Sequence, residues 1–263
     1  MQGPRTTVPS DARRLCDLIL YKTYADLKYE AQRTYIGVFW WLIEPLIFMA
    51  IFYLVFAVVL GRGTDDFVTF LLIGLTAWHW VQSTLTQAGS AIASNQGLLQ
   101  QVHVPKFVFP SVLMLTSTAK FVVVLVILFA YLLWRGLDPS PHWLLVIPVF
   151  LNLFLFIAGS AFIIAAIAPM IPDIRILLDN LLRAVFFLSG IFYDIAALPD
   201  KLKFWMQLNP IAIIINDLRN VIMHGETPDW RYELAILVLA CILLAMGIRF
   251  LRHFEYRYAK IAP

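Results

Sequence analysis

Charged residues are scarce in this chain, and their scarcity excludes most classes of soluble protein. Only 14% of the 263 residues are Asp, Glu, Lys or Arg, whereas 61% are hydrophobic. Soluble domains average roughly a quarter charged residues and about half apolar residues. We therefore predict an integral membrane protein, with no length to spare for a separate soluble catalytic domain.

Cysteine is also rare. Cys16 and Cys241 are the two cysteines, and they lie at opposite ends of the chain, which argues against a disulfide. A metal site needs more ligands than these, and the five histidines are scattered without ligand spacing. We predict no metal site. The start of the chain lacks a short apolar core followed by a small-residue cleavage site, so no cleavable signal is predicted.

Sequence signatures of catalysis are missing as well. The P-loop pattern G-x-x-x-x-G-K-[ST] does not occur, so the chain is not predicted to bind ATP through that motif. Residues 117–120 fit the S-x-x-K pattern of penicillin-binding enzymes, but they lie in an apolar run and the companion motifs are absent. We assign no catalytic residue and expect no enzyme. No internal repeat is present, which weighs against secondary transporters.

Long apolar runs dominate the sequence. Crossing a bilayer takes roughly twenty apolar residues in a helix, so these runs predict an all-α membrane protein with six spans. The predicted spans are residues 39–60, 67–88, 109–134, 143–168, 176–193 and 234–251. Six spans put both termini on one side. The excess of Lys and Arg in the tails and the even-numbered loops predicts that this side is cytoplasmic.

The segments around the spans complete one transmembrane domain over residues 1–263. Residues 10–35 carry apolar side chains at spacings of three and four, which predicts a cytoplasmic interface helix, or a helix packed on a soluble partner. These side chains are Cys16, Leu20, Tyr24, Leu27 and Ala31. Residues 194–233 contain two apolar runs too short to cross, which predict two external re-entrant helices, or else a folded external loop. Residues 252–263 form the predicted cytoplasmic tail.

Several charged residues lie within or next to the predicted membrane spans. Charges within spans are costly in lipid and should face protein or water. Four fall within or at the edge of the predicted spans: Glu44, Lys120, Asp179 and Arg183. Glu44 is followed by Pro45, which bends helices, so the pair is a candidate hinge, or a kink held by local packing. Arg175, Asp179 and Arg183 share one helix face, which predicts a pathway entrance or a self-neutralised contact between helices.

Aromatic side chains crowd the predicted span ends. Most of them, including Trp78 and Trp80, are expected to anchor the chain in the membrane interface. Four others extend along the outer half of the fifth predicted span, where their faces suit stacking against sugar rings. They are Phe186, Phe187, Phe192 and Tyr193.

Four segments, in order along the chain, resemble one known family. Residues 34–56 are similar to a YxGxxWxxxxP motif, and residues 74–110 contain Trp78, Asn95, Leu98 and Val104-Pro105. Residues 172–193 include Asp173, and residues 208–225 contain Asn209-Pro210, Arg219 and Gly225. Together they resemble the membrane subunit of type-two ABC exporters of cell-surface polysaccharide, namely O-antigen, capsule or teichoic acid. Pro172-Asp173 stands where the family usually has Arg-Asp, and Ser189-Gly190 where Ser-Pro is common.

The resemblance implies a homodimer in the bacterial inner membrane with two copies of a P-loop ATPase subunit. ATP and magnesium would bind in that partner, with no cofactor in this chain. A lipid-linked polysaccharide would be the substrate, periplasmic export proteins are further candidate partners, and no nucleic acid is expected. A drug or lipid exporter of the same architecture is one alternative, and a membrane enzyme acting on lipid-linked sugars is another.

The predicted roles fall on four sets of residues: the channel, the entrance, the coupling surface and the hinge. The channel is expected at Phe39, Trp40, Phe186, Phe187, Phe192 and Tyr193. The entrance for the lipid headgroup is expected at Arg175, Asp179 and Arg183. Coupling to the ATPase is expected at Arg33, Asn95, Gln96, Leu98, Gln101 and Val104, with Glu44 and Pro45 as the hinge.

Overall fold

All regular secondary structure in the described part of the chain is helical. A computed structural model describes residues 11–33, 35–59, 61, 65–95, 97, 104–137, 139–171 and 173–254. No strand occurs in these ranges. The predicted all-α class is therefore confirmed for the residues that the structure describes.

The helices follow one another in the order that the apolar runs predict. The first four are α1 (Asp11–Arg33), α2 (Trp40–Tyr53), α3 (Asp65–Ala88) and α4 (Val108–Trp134). The next three are α5 (Val146–Ile167), α6 (Ile174–Phe187) and α7 (Asp200–Met206). The last two are α8 (Pro210–Arg219) and α9 (Trp230–His253). Helix α2 continues as a π-helical segment, Leu54–Val59, and α8 as another, Asn220–His224.

Three described helices are long and apolar enough to cross a membrane. They are Val108–Trp134, Pro141–Ile167 and Trp230–His253, and they agree with the third, fourth and sixth predicted spans to within a few residues. Arg13–Arg33 and Gly37–Tyr53 also reach that hydropathy together, but they are bent by 93°. We call this bend the elbow.

The fifth predicted span is wrong at its outer end. Helix α6 has 14 residues and stops at Phe187, whereas the prediction continued to residue 193. At about 1.5 Å per residue such a helix is roughly 21 Å long, which is short of the ~30 Å hydrocarbon core. Leu188 caps the helix, and the helix cannot resume through Gly190, whose φ of 66° is a left-handed conformation.

Helix α3 lies at the centre of the fold. It packs against α4, α5 and α8, as well as α2 and α6. Because neighbours surround it, Trp78 and Trp80 are buried, with 2% and 4% of their surface exposed. Their predicted role as interface anchors is therefore wrong. On the far side of α5, helix α9 approaches closely, since a Cβ built on Gly159 would lie 2.7 Å from the amide of Leu244.

Helix α1 packs on the start of α4. Leu15, Leu18 and Ile19 meet a buried cluster that includes Val104 and Val108. The predicted apolar stripe lies on a different side of α1, where Cys16, Leu20 and Tyr24 are exposed, as a face turned toward a membrane surface or a soluble partner would be; it stays a prediction. The contact with α4 uses Leu15, Leu18 and Ile19, which the predicted stripe does not include.

Candidate functional site

An aromatic cluster joins α2, α3, α6 and the turn after α6. The ring centroid of Phe192 lies 4.5 Å from that of Phe52 and 5.0 Å from that of Phe186. Trp78 contacts Phe186 at 5.4 Å, and Phe187 contacts it at 5.2 Å. Offset and edge-on ring pairs at such distances each contribute roughly 0.5–1.5 kcal/mol beyond burial. We call these five residues the aromatic cluster.

The structure brings together three of the six residues predicted for the channel. Phe186, Phe187 and Phe192 meet, but Phe192 arrives on the turn and not along the helix as predicted. Tyr193 is held differently, because its hydroxyl donates to the carbonyl oxygen of Phe187 at 3.0 Å. Phe39 and Trp40 are exposed at the start of α2. Trp40 precedes Phe52 by twelve residues, or about 18 Å along a helix, so Trp40 lies well away from the aromatic cluster.

Apolar side chains on α2 and α6 remain exposed beside the cluster. Phe187 itself has 61% of its surface exposed. Exposed apolar residues continue along both helices: Leu46, Ile47, Phe48 and Ile51 on α2, and Ile176, Leu177 and Leu181 on α6. Contiguous apolar surface of this kind marks contact with lipid or with another protein chain.

Arg219 holds the turn after α6. Its Nη1 donates to the carbonyl oxygen of Gly190 at 2.7 Å, and its Nη2 to that of Ile191 at 2.8 Å. Its Nε donates to the carbonyl oxygen of Phe70 at 3.1 Å, and the guanidinium carbon lies 3.4 Å from the Phe70 ring centroid. Because α8 supplies Arg219 and α3 supplies Phe70, one side chain fastens the turn to both helices.

The surroundings of Arg219 are almost dry. Only 3% of the residue is exposed, and burial lowers the pKa of its guanidinium to about 9. The side chain is therefore charged at neutral pH. Carbonyl oxygens at the end of a helix carry partial negative charge, so they suit a buried cation. Asn209 adds a second support, since its Nδ2 donates to the carbonyl oxygen of Leu188 at 3.1 Å.

The predicted entrance residues contact α3 and its following turn. Arg175 Nε donates to the carbonyl oxygen of Gly89 at 2.8 Å, and Thr86 donates to Asp179 at 3.4 Å. Arg183 is exposed on α6. Among the described residues the ion pairs are Lys22–Asp26 and Lys120–Glu30, so Arg175 and Asp179 do not pair with each other as the spacing allowed.

A cavity of about 110 Å³ with several polar and charged side chains in its wall lies where α1, α2, α3 and α4 meet. We call it the elbow cavity. It is lined by Glu30, Trp41, Glu44, His79, Trp80, Ser117 and Lys120, among others. Lys120 of α4 forms an ion pair with Glu30 of α1, and its ammonium lies 5.8 Å from the ring centroid of Trp41. The sequence singled out Glu44 and Lys120 but did not predict that Glu30 would be the partner.

The predicted hinge lies within α2. The helix runs without interruption through Glu44 and residue 45, and the elbow precedes it, between Arg33 and Gly37. Gly37 has a φ of 58°, and a Cβ there would lie 2.8 Å from the carbonyl oxygen of Ala31. Glycine is required at this position because an L side chain would be strained and would collide with the backbone.

Two of the predicted coupling residues line a second cleft. Arg33 and Asn95 line a cavity of about 420 Å³ between α1 and the segment after α3. Asn95 Nδ2 donates to the carbonyl oxygen of Ala91 at 2.8 Å, which closes that turn. Val104 is buried against α1. Gln96, Leu98 and Gln101 lie outside the described residues.

The sequence did not single out a pair of acidic residues where α5, α8 and α9 meet. Asn152 of α5 donates through Nδ2 to both the backbone oxygen, at 2.7 Å, and the carboxylate of Glu233. Asp217 of α8 lies beside Glu233. Burial, together with the charge of Glu233, raises the pKa of Asp217 to about 8. In the sequence both acids fall within the segment 194–233, which is rich in Asp and Glu, so nothing distinguished them from the solvated acids around them.

Comparison with known proteins assigns the chain to a family. Residues 23–223 match the ABC-2 type transporter family. The O-antigen export system permease protein RfbA of Klebsiella pneumoniae is 25% identical over 248 residues, which cover 94% of this chain and 95% of that protein. RfbA of Myxococcus xanthus is 25% identical over 229 residues, covering 86% and 88%. The polysialic acid transport protein KpsM of Escherichia coli is 23% identical over 220 residues, covering 81% and 84%.

The family match extends from α1 to the π-helical segment after α8, and therefore includes the aromatic cluster, Arg219 and the elbow cavity. It also agrees with the apolar helices found above. The chain belongs to the ABC-2 type transporter family, as a multi-pass membrane transporter subunit and not an enzyme in its own right.

Proposed function

We propose that this chain is the transmembrane subunit of an ATP-driven exporter that moves lipid-linked polysaccharide, O-antigen or capsule, across the bacterial inner membrane. The observation that carries the proposal is alignment with polysaccharide exporters along nearly the whole of both chains. The partly exposed aromatic cluster supports it, because aromatic faces suit the C–H faces of sugar rings. Stacking of this kind lets a repeating chain slide without strong attachment to any one unit.

The proposed membrane arrangement has six spans and cytoplasmic termini. Helices α2, α3 and α6 would supply the first, second and fifth spans, in addition to the three helices that are both long and apolar enough on their own. The helices α7 and α8 would then be re-entrant from the external side. Residues 1–263 would form a single transmembrane domain, with the tail at 252–263 in the cytoplasm.

The active form is proposed to be a homodimer. A second copy would cover the exposed apolar side chains of α2 and α6 and would place two aromatic clusters around one central channel. Phe187 would face that channel from each copy, together with Phe39 and Trp40 nearer the cytoplasm. Arg183 on the same face of α6 would meet the anionic headgroup of the substrate.

The energy is proposed to come from two copies of a separate P-loop ATPase, which bind ATP and magnesium. Helix α1 and the segment around Asn95 would contact that partner, because they line the cleft on the proposed cytoplasmic side. Val104 would transmit movement between them, since it packs on α1 at the base of α4.

Deletion and complementation in the native bacterium test the proposal. Loss of the gene should abolish surface polysaccharide on an immunoblot, and lipid-linked polysaccharide should accumulate inside the cell. Phe187→Ala should lower export several-fold, whereas Leu151→Ala, an exposed apolar position on α5 outside the proposed dimer interface, should export normally. Unchanged surface polysaccharide in the deletion strain would refute the function. A glycolipid that co-purifies with the complex would identify the substrate.

A further inference from the structure

One cation in the elbow cavity faces two carboxylates. Lys120 is paired with Glu30, and Glu44 lines the same cavity one turn of α2 after Trp41. Glu44 and Lys120 also both interact electrostatically with His79, with opposite sign. One ammonium group and two carboxylates thus line the same cavity, and the ion pair seen in the structure uses only the carboxylate of Glu30.

The two carboxylates stand on opposite arms of the elbow. Glu30 is in the last turn of α1, and Glu44 is in the second turn of α2. The arms are bent by 93°, and Lys120 belongs to neither, because it projects from α4. Pairing with Glu30 draws α1 toward α4, whereas pairing with Glu44 would draw α2 toward it. The choice of partner therefore bears on the angle between the arms.

The cavity allows the ammonium group to change partner. Trp80 Nε1 and Ser117 Oγ are buried in its wall and have no hydrogen-bond partner among the described residues. A volume of about 110 Å³ exceeds the ~10–15 Å³ that one water needs, and the polar wall offers it several partners. Water in this space would solvate the ammonium between the two acids. Lysine suits such an exchange because it is a flexible point charge with rotatable donors.

We propose that Lys120 is a positioning residue that sets the angle of the elbow, pairing with Glu30 in one state of the transport cycle and with Glu44 in the other. The inference rests on the proposed function, in which α1 receives the movement of the ATPase. Closure of the ATPase would shift α1 and release Glu30, and the ammonium would then draw α2 and its aromatic cluster inward.

The test uses the complete complex with its ATPase in the native bacterium. Glu44→Gln leaves the Lys120–Glu30 pair intact. We expect it to lower surface polysaccharide at least five-fold, while the purified complex still hydrolyses ATP. The matched control is Thr118→Val on α4, close to Lys120 in the chain. The Thr118 hydroxyl donates within its own helix, to the Met114 carbonyl oxygen at 2.6 Å, so its removal should leave the ion pair in the cavity unchanged. The control should export normally.

Charge swaps separate exchange from a fixed contact. The double variant Glu30→Lys/Lys120→Glu restores the pair seen in the structure but places two carboxylates together at positions 44 and 120. It should remain defective. Adding Glu44→Lys restores both pairings, and the triple variant should recover export to within two-fold of the wild type.

Two outcomes would overturn the inference while leaving the proposed function standing. Normal export by Glu44→Gln would show that this carboxylate takes no part. Equal export by the double and triple variants would show that Lys120 only fixes α1 in place. If the swapped chains fail to accumulate in the membrane, Glu44→Gln decides alone, with the amount of membrane protein measured beside export. Failure of the proposed function would be recognised separately, because the deletion strain would then show normal surface polysaccharide.

Discussion

Replacement of Arg219 by leucine should destabilise the protein more than any surface change. The substitution removes three hydrogen bonds from a guanidinium that is 3% exposed, and it leaves the carbonyl oxygens of Phe70, Gly190 and Ile191 without their donor. Each unsatisfied buried group costs about 1–3 kcal/mol, but such losses do not add fully. We therefore expect a loss of about 3–5 kcal/mol in the free energy of unfolding, as for other broken buried contacts of charged groups.

Thermal unfolding of the purified protein in detergent measures this effect. For a chain of this size about 1 kcal/mol corresponds to a shift of roughly 2–4 °C in Tm, so Arg219→Leu should lower Tm by about 10 °C. Arg219→Lys should lower it by less, because a lysine keeps the charge but reaches fewer carbonyl oxygens at once. The control is Arg231→Leu, an exposed arginine at the start of α9.

The control should shift Tm by no more than about 2 °C, since exposed substitutions stay within ~0.5 kcal/mol. Limited proteolysis adds a local readout, because Arg219→Leu should expose the turn after α6 to cleavage before the rest of the chain. The reasoning would be refuted if Arg219→Leu and Arg231→Leu unfolded at the same temperature. The guanidinium would then contribute nothing to holding the turn.

Three further predictions concern the core and the acidic pair. Gly74→Ala should lower Tm by several degrees, because the new Cβ would lie 2.5 Å from Nη2 of Arg219; an unchanged Tm would show that the guanidinium can move aside. Leu153→Ala should cost about 2–5 kcal/mol of stability, since Leu153 is fully buried, whereas Leu151→Ala on the exposed face of α5 should cost little; equal Tm values would contradict this burial. The raised pKa of Asp217 means that the folded protein holds a proton that the unfolded chain releases near pH 4, so stability should fall as pH rises toward about 8 and level off above it. Asp217→Asn should flatten that decline in Tm between pH 5 and pH 8, and an equally steep decline in the variant would assign the proton elsewhere.

The long helices could be predicted because their signal is local. A run such as 109–134 is apolar throughout, and no other structure in a bilayer satisfies its backbone. The same logic located α9 and α5 to within a few residues. It also placed Lys120 away from lipid, since a charge in such a run needs a partner or water.

The packing of the helices against one another could not be predicted from local apolar runs. Apolarity alone does not distinguish lipid from a protein core, so Trp78 was predicted at an interface and lies instead among five neighbouring helices. Likewise, the end of α6 depends on Gly190 together with Arg219, which is 29 residues further along the chain. Glu30 sits among ordinary solvated charges in α1, and only the packing of α1 on α4 brings it to Lys120.

The way in which Arg219 holds its turn bears on how substrate preference can change. All three of its hydrogen bonds end on main-chain oxygens, and none depends on which side chains the turn carries. Residues 187 and 192 can therefore be exchanged for other aromatic, aliphatic or polar residues while the backbone path stays the same. We expect evolution, and equally a laboratory library at these two positions, to change the substrate preference of the proposed exporter while the backbone of the turn keeps its path.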